Sequence, residues 1–107
     1  MAFNIDQTID DILVAIAGVV TGEWPKVEAC AKKALKDEKD AIEQIAQARI
    51  SGEINGDDMK SQLDDEKEAL KAALLVCQIK AKVMAQKAAN AAIDALKTAI
   101  DAALRAI

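Results

Sequence analysis

The side chains best suited to chemistry in this 107-residue chain are its two cysteines, Cys30 and Cys77. A thiol pair can do redox work, and thiolates with a thioether hold soft ions such as Cu(I). Met84 stands one heptad after Cys77, on the same helical face, so the three sulfurs form a candidate soft-metal set. The set is thin: four-ligand density is missing, and both cysteines fall in apolar stripes. Free Cys behaves as a small buried hydrophobe. We therefore read Cys30 and Cys77 as free core thiols, with no metal and no cofactor. Free thiols, in a chain whose first residues lack the basic start of an export signal, point to the cytoplasm.

Carboxylates are the next resource. Helical bundles hold paired iron ions with Glu residues and Glu-x-x-His motifs. Glu38, Glu43, Asp65, Glu66 and Glu68 could supply oxygens, but the chain has no His, so that motif is absent. Without His there is also no Ser-His or Cys-His dyad and no imidazole acid or base near neutral pH. We expect these carboxylates on solvated helix surfaces and assign no catalytic residue and no enzyme activity. Glu38 differs, because it sits in an apolar stripe between Leu35 and Ile42; it is expected to pair with Lys67 or Lys71, or to specify register.

The segment Ser51-Gly52-Glu53-Ile54-Asn55-Gly56-Asp57-Asp58 has a calcium-loop look. With Gly56 as the loop glycine, however, Ser51 takes the first ligand position and Gln62 the twelfth. An EF-hand needs an acid first and a bidentate Glu last, so the segment reads as a helix–helix turn.

These groups must be positioned by helices. Hydrophobic residues make up 52% of the chain, led by 23 alanines, with one Trp, one Phe and no Tyr. One Pro and four Gly are too few for the turns of an all-β fold. The length supports one domain spanning 1–107. No apolar run is long enough for a membrane span. A formal charge of −4, with Arg only at 49 and 105, argues against nucleic acid as a partner.

The expected fold class is all-α: a short N-terminal helix over about 5–20, then a long antiparallel hairpin of helices over about 25–50 and 57–107. Ile5, Ile9, Ile12, Leu13, Ile16 and Val20 trace one buried face of the first helix. Gly22 is its expected left-handed stop, Pro25 suits the first turn of the second helix, and Trp24 between them can staple the two helices together. The second seam reads Val27, Ala31, Ala34, Leu35, Ile42 and Ile45.

From Asp57 to Ile107 there is neither Gly nor Pro, which predicts one uninterrupted helix of about 75 Å. Six acids against two lysines over residues 57–68, then six bases against two acids, suit the dipole of one helix. In the hairpin, facing residues have numbers summing to about 108, which puts Cys30 level with Cys77. It also sets Lys26, Lys32, Lys33 and Lys36 level with Lys71, Lys80, Lys82 and Lys87, giving a basic middle and an acidic tip. Such bands could steer antiparallel pairing of two hairpins.

Two placements of the first helix compete. Folding back would bring Asp6, Asp10 and Asp11 near Lys32, Lys33, Lys36 and Lys39. Continuing in line would cover the excess length of the third helix. Apolar burial outweighs surface ion pairs, so length favours the in-line arrangement.

A two-helix hairpin leaves one apolar seam of the third helix unmatched. From that seam we expect a non-catalytic structural or protein-interaction module that self-associates as a dimer or higher oligomer, coiled-coil fashion, through Ile79, Val83, Ile93, Leu96, Ile100 and Leu104. The alternative use of the same seam is reversible attachment to a lipid or granule surface.

Overall fold

The structure is a computed structural model describing residues 3–77 and 82–106. It is all-α. Helix α1 spans Ile5–Val20, a 3₁₀ turn covers Thr21–Glu23, and α2 spans Trp24–Ile50; α3 follows over Gly56–Val76 and α4 over Lys82–Arg105.

Helix α1 begins where the Asn4 side chain accepts a hydrogen bond from the Gln7 backbone N–H at 3.0 Å, the usual N-cap arrangement. Its apolar stripe places Ile12, Leu13, Ile16 and Val20 in the core. Gly22 does not act as a left-handed stop, since Gly52 is the only described glycine with positive φ. The 3₁₀ turn and Pro25, in the first turn of α2, make this corner instead. Trp24 packs there, partly buried against the core.

The in-line placement of α1 is overturned. The Lys39 ammonium meets the Asp6 carboxylate at 2.8 Å, whereas an in-line helix would hold these residues about 50 Å apart. Helix α1 folds back along α2, in the arrangement that the charge match favoured.

The continuous third helix is also corrected. Helix α3 stops at Val76, and α4 is a separate element. A 75 Å rod could not fit a molecule whose longest dimension is 39 Å, so α4 must run back beside α3. It packs between α3 and α1, and its meeting with α1 is the most extensive in the molecule. The four helices thus form an antiparallel, up-down-up-down bundle in which neighbours in sequence are neighbours in space.

Magnitudes explain why burial wins over helix continuity. A break forfeits a few backbone hydrogen bonds at roughly 0.5–1.5 kcal/mol net each. Folding α4 back buries Ile93, Leu96 and Ile100 with five alanines of the same helix, and each large side chain contributes about 1.5–3 kcal/mol. The deepest core shows the closure: Ile12 and Ile16 come from α1, Leu35 and Ile42 from α2, Leu70 and Leu74 from α3, and Leu96 and Ile100 from α4. Among the described residues no helix is long and apolar enough to cross a membrane.

Candidate functional site

Cys30 and Cys77 are brought together and bonded. Their Cα atoms lie 5.6 Å apart, within disulfide range, and the bridge closes a sequence separation of 47 residues. The register expectation that set them level is met, but the expectation of free thiols is not: neither cysteine is free. Sulfur committed to a disulfide offers no thiolate, so the pair with Met84 has lost the donors a Cu(I) site needs. Met84 packs against the core, partly buried. Among the described residues no group of three or more His, Cys, Asp or Glu could hold a metal ion.

The bridge ties the N-terminal half of α2 to the residue that ends α3. Cys77 is buried and Cys30 half-buried. The bond therefore fixes the last turn of α3 at the corner where the chain reverses into α4.

The second feature is a carboxyl pair at the α2–α3 interface. Glu66 was expected on the surface, yet it is only 6% exposed, and its Oε2 is buried without a hydrogen-bond partner. Burial raises its pKa to about 7, helped by the charge of nearby Glu38. Glu38 is half-buried and faces this second carboxyl; the described ion pairs do not include Glu38 with Lys67 or Lys71. Burial and the neighbouring carboxylate both favour the protonated, neutral form of Glu66. A signal for Glu66 was present in the sequence. It stands three residues after Leu63 and four before Leu70, inside the buried stripe of α3.

Toward the α2–α3 turn the two helices leave an open groove of about 770 Å³. Its polar lining comes from Gln44, Gln47, Ser51, Glu53, Gln62, Asp65 and Glu66. The turn itself is firmly made. Gly52 has φ 85°, the Glu53 N–H reaches the Ala48 carbonyl at 2.9 Å, and the Gly52 N–H reaches the Arg49 carbonyl at 3.3 Å. This is a Schellman ending. Asn55 and Asp58 then cap α3 reciprocally.

The self-association residues divide. Ile93, Leu96 and Ile100 lie in the chain's own core, and Leu104 packs partly buried against it. Val83 is 67% exposed, and Ile79 lies outside the described residues. The seam expected to be unmatched is therefore covered over most of its length by α1. What stays exposed is its start: Val76 at 81%, with Leu75 beside it at 36%. Of the expected basic bands, Lys26, Lys33, Lys36, Lys82 and Lys87 are exposed, but the reversal of α4 takes Lys82 and Lys87 off the hairpin register. Lys80 lies outside the described residues.

No protein family, curated protein or solved structure matches this chain.

Proposed function

We propose that the chain is a non-catalytic helical interaction module that self-associates. The observation that carries this reading is the exposure of large apolar side chains, Leu75 and Val76 in the last turn of α3 and Val83 in the first turn of α4, with Val14 exposed on α1. Exposed large apolar side chains on a small, charged bundle, two of them consecutive at the end of α3, favour a protein contact. The expected self-association through the third helix thus narrows from the Ala-rich length of α4 to these exposed side chains. Light scattering or sedimentation at micromolar concentration tests it: a reversible dimer or higher oligomer is expected, and a strict monomer contradicts it.

The disulfide bears on where the module works. A closed Cys30–Cys77 bridge supports an oxidising compartment over the cytoplasm expected from free thiols. Alkylation of cells before lysis, followed by intact-mass measurement, is expected to find the pair unalkylated; two alkylated cysteines would return the protein to a reducing compartment.

A further inference from the structure

We propose that the groove between α2 and α3 binds a small linear polyamine, with Glu66 as the anchor for one of its ammonium groups. The groove is separate from the exposed apolar side chains, so this reading stands or falls independently of self-association.

The chemistry of the lining selects the ligand. Glu53, Asp65 and Glu66 supply three carboxylates, Gln44 and Gln62 add amide oxygens, and no Lys or Arg lines the groove. Such a surface repels anions and suits a cation that donates hydrogen bonds to charged and neutral oxygens alike. A metal ion is the poorer fit, because among the described residues no three His, Cys, Asp or Glu side chains are grouped to hold one. An ammonium needs a single carboxylate for a charge-assisted hydrogen bond. The volume of about 770 Å³ is that of a small-molecule site.

Glu66 is the independent sign that the groove is more than an acidic surface. The residue is over nine-tenths buried, and its Oε2 lies out of solvent with no hydrogen-bond donor. A buried carboxylate oxygen without a donor is costly, and the described residues bring no cation to it. Their ion pairs are Lys32–Glu28 and Lys39–Asp6, and Arg49 does not line the groove. The charge that acts on Glu66 is that of Glu38 on α2, while the buried faces of α1 and α4 carry no charged side chain. A ligand ammonium supplies the missing donor and the missing positive charge together.

Length argues for more than one ammonium. The lining follows α2 from Ala41 to Ser51, about 15 Å of helix. Glu66 belongs toward the Ala41 end, near Glu38, and Glu53 follows Ser51 in the turn at the other end. A flexible chain with an ammonium at each end meets both carboxylates, whereas a monoamine meets one.

The test is isothermal titration of spermidine into the full-length, disulfide-bonded protein at low salt. Saturable one-to-one binding is expected. Glu66, with its pKa raised to about 7, must lose its proton to hold a cation, so affinity is expected to rise about fourfold from pH 6 to pH 7. Glu66→Gln should bind about tenfold more weakly at pH 7 and lose that pH dependence. Asp64→Asn removes the same charge from an exposed position of α3 outside the lining and should bind as the wild type does. The amide of Nα-acetyl-lysine, with one ammonium, should bind at least about tenfold more weakly than spermidine. No saturable binding, or a flat pH profile of the unmodified protein, would overturn the proposal. So would equal losses in Glu66→Gln and Asp64→Asn, which mark diffuse attraction to an acidic chain, or a lysine amide that binds as tightly as spermidine.

Discussion

The two corners flanking α3 are built on opposite plans. At the α2–α3 corner the local sequence does the work: Gly52 takes the left-handed conformation, Glu53 and Ile54 return to the Ala48 carbonyl, and Asn55 with Asp58 boxes the next helix start. At the α3–α4 corner the sequence from Cys77 to Lys82 has neither Gly nor Pro. The helix stops at Val76 because the side chains beyond it are worth more in the core than in a rod, and a disulfide pins the last turn. A locally encoded turn is independent of tertiary packing, whereas a turn without Gly or Pro depends on the core contacts and the bridge on either side of it.

The largest effect expected from breaking this contrast is at the bridge. Closing a loop of this length stabilises a fold by about 4 kcal/mol in the chain-entropy account. Cys30→Ser with Cys77→Ser, or reduction of the native protein, is expected to lower stability by that order in urea unfolding. An unchanged midpoint would show that the α3–α4 corner holds without its pin.

Next comes the carboxyl pair, which joins the same two helices. The folded-state pKa of Glu66 lies near 7, above its ordinary value of 4.5, so the native state binds the proton more tightly than the unfolded chain. Its contribution is most favourable below pH 4.5, is lost as pH rises toward 7, and stays lost above that. The shift corresponds to roughly 3 kcal/mol. Glu66→Gln keeps the shape and removes the charge. Its stability relative to the wild type is expected to rise across pH 4.5–7, read from chemical unfolding at a series of pH values. A difference that does not change with pH would refute the raised pKa of Glu66.

Smaller effects should appear at the encoded corner. Gly52→Ala forces a Cβ into a left-handed backbone with open space around it, at a cost of about 1 kcal/mol. Asn55→Ala removes a cap worth about 1 kcal/mol. Both changes should lower thermal stability without changing the monomer–dimer balance. A change in oligomeric state would erase the distinction between the corners.

Smallest in stability is Val83→Ser, on an exposed site. It should change folding by less than about 0.5 kcal/mol yet weaken self-association in sedimentation. Equal self-association by the variant would remove Val83 from the contact.

How legible the molecule was in its sequence follows the same division. Features written locally were readable: the α1 stripe from Ile5 to Val20, the turn over 51–55, and the register that sets Cys30 level with Cys77. Features decided by competition between distant elements were not. No residue between Cys77 and Lys82 marks a reversal, because the reversal is paid for by Ile93, Leu96 and Ile100 in the core. The reversal in turn removed the reason for placing α1 in line, since α4 folds back to meet α1. The Asp6–Lys39 pair, which holds Lys39 above its ordinary pKa through a hydrogen bond, reported the true arrangement although its own energy is small. At the carboxyl pair, Glu38 was conspicuous as a charge among Leu35 and Ile42. Glu66 was hidden by the acids around it, though its spacing from Leu63 and Leu70 marks the same buried stripe. The disulfide was half legible: the hairpin register puts the two residues level, but composition alone cannot say whether level cysteines are oxidised.

The claim that burial overrides helix continuity beyond Cys77 is tested most directly by small-angle X-ray scattering on the monomeric fraction from size exclusion. The closed bundle predicts a radius of gyration near the 13.4 Å of its Cα atoms, slightly enlarged by side chains and hydration. A value above about 20 Å, which a 75 Å helix would require, would contradict it.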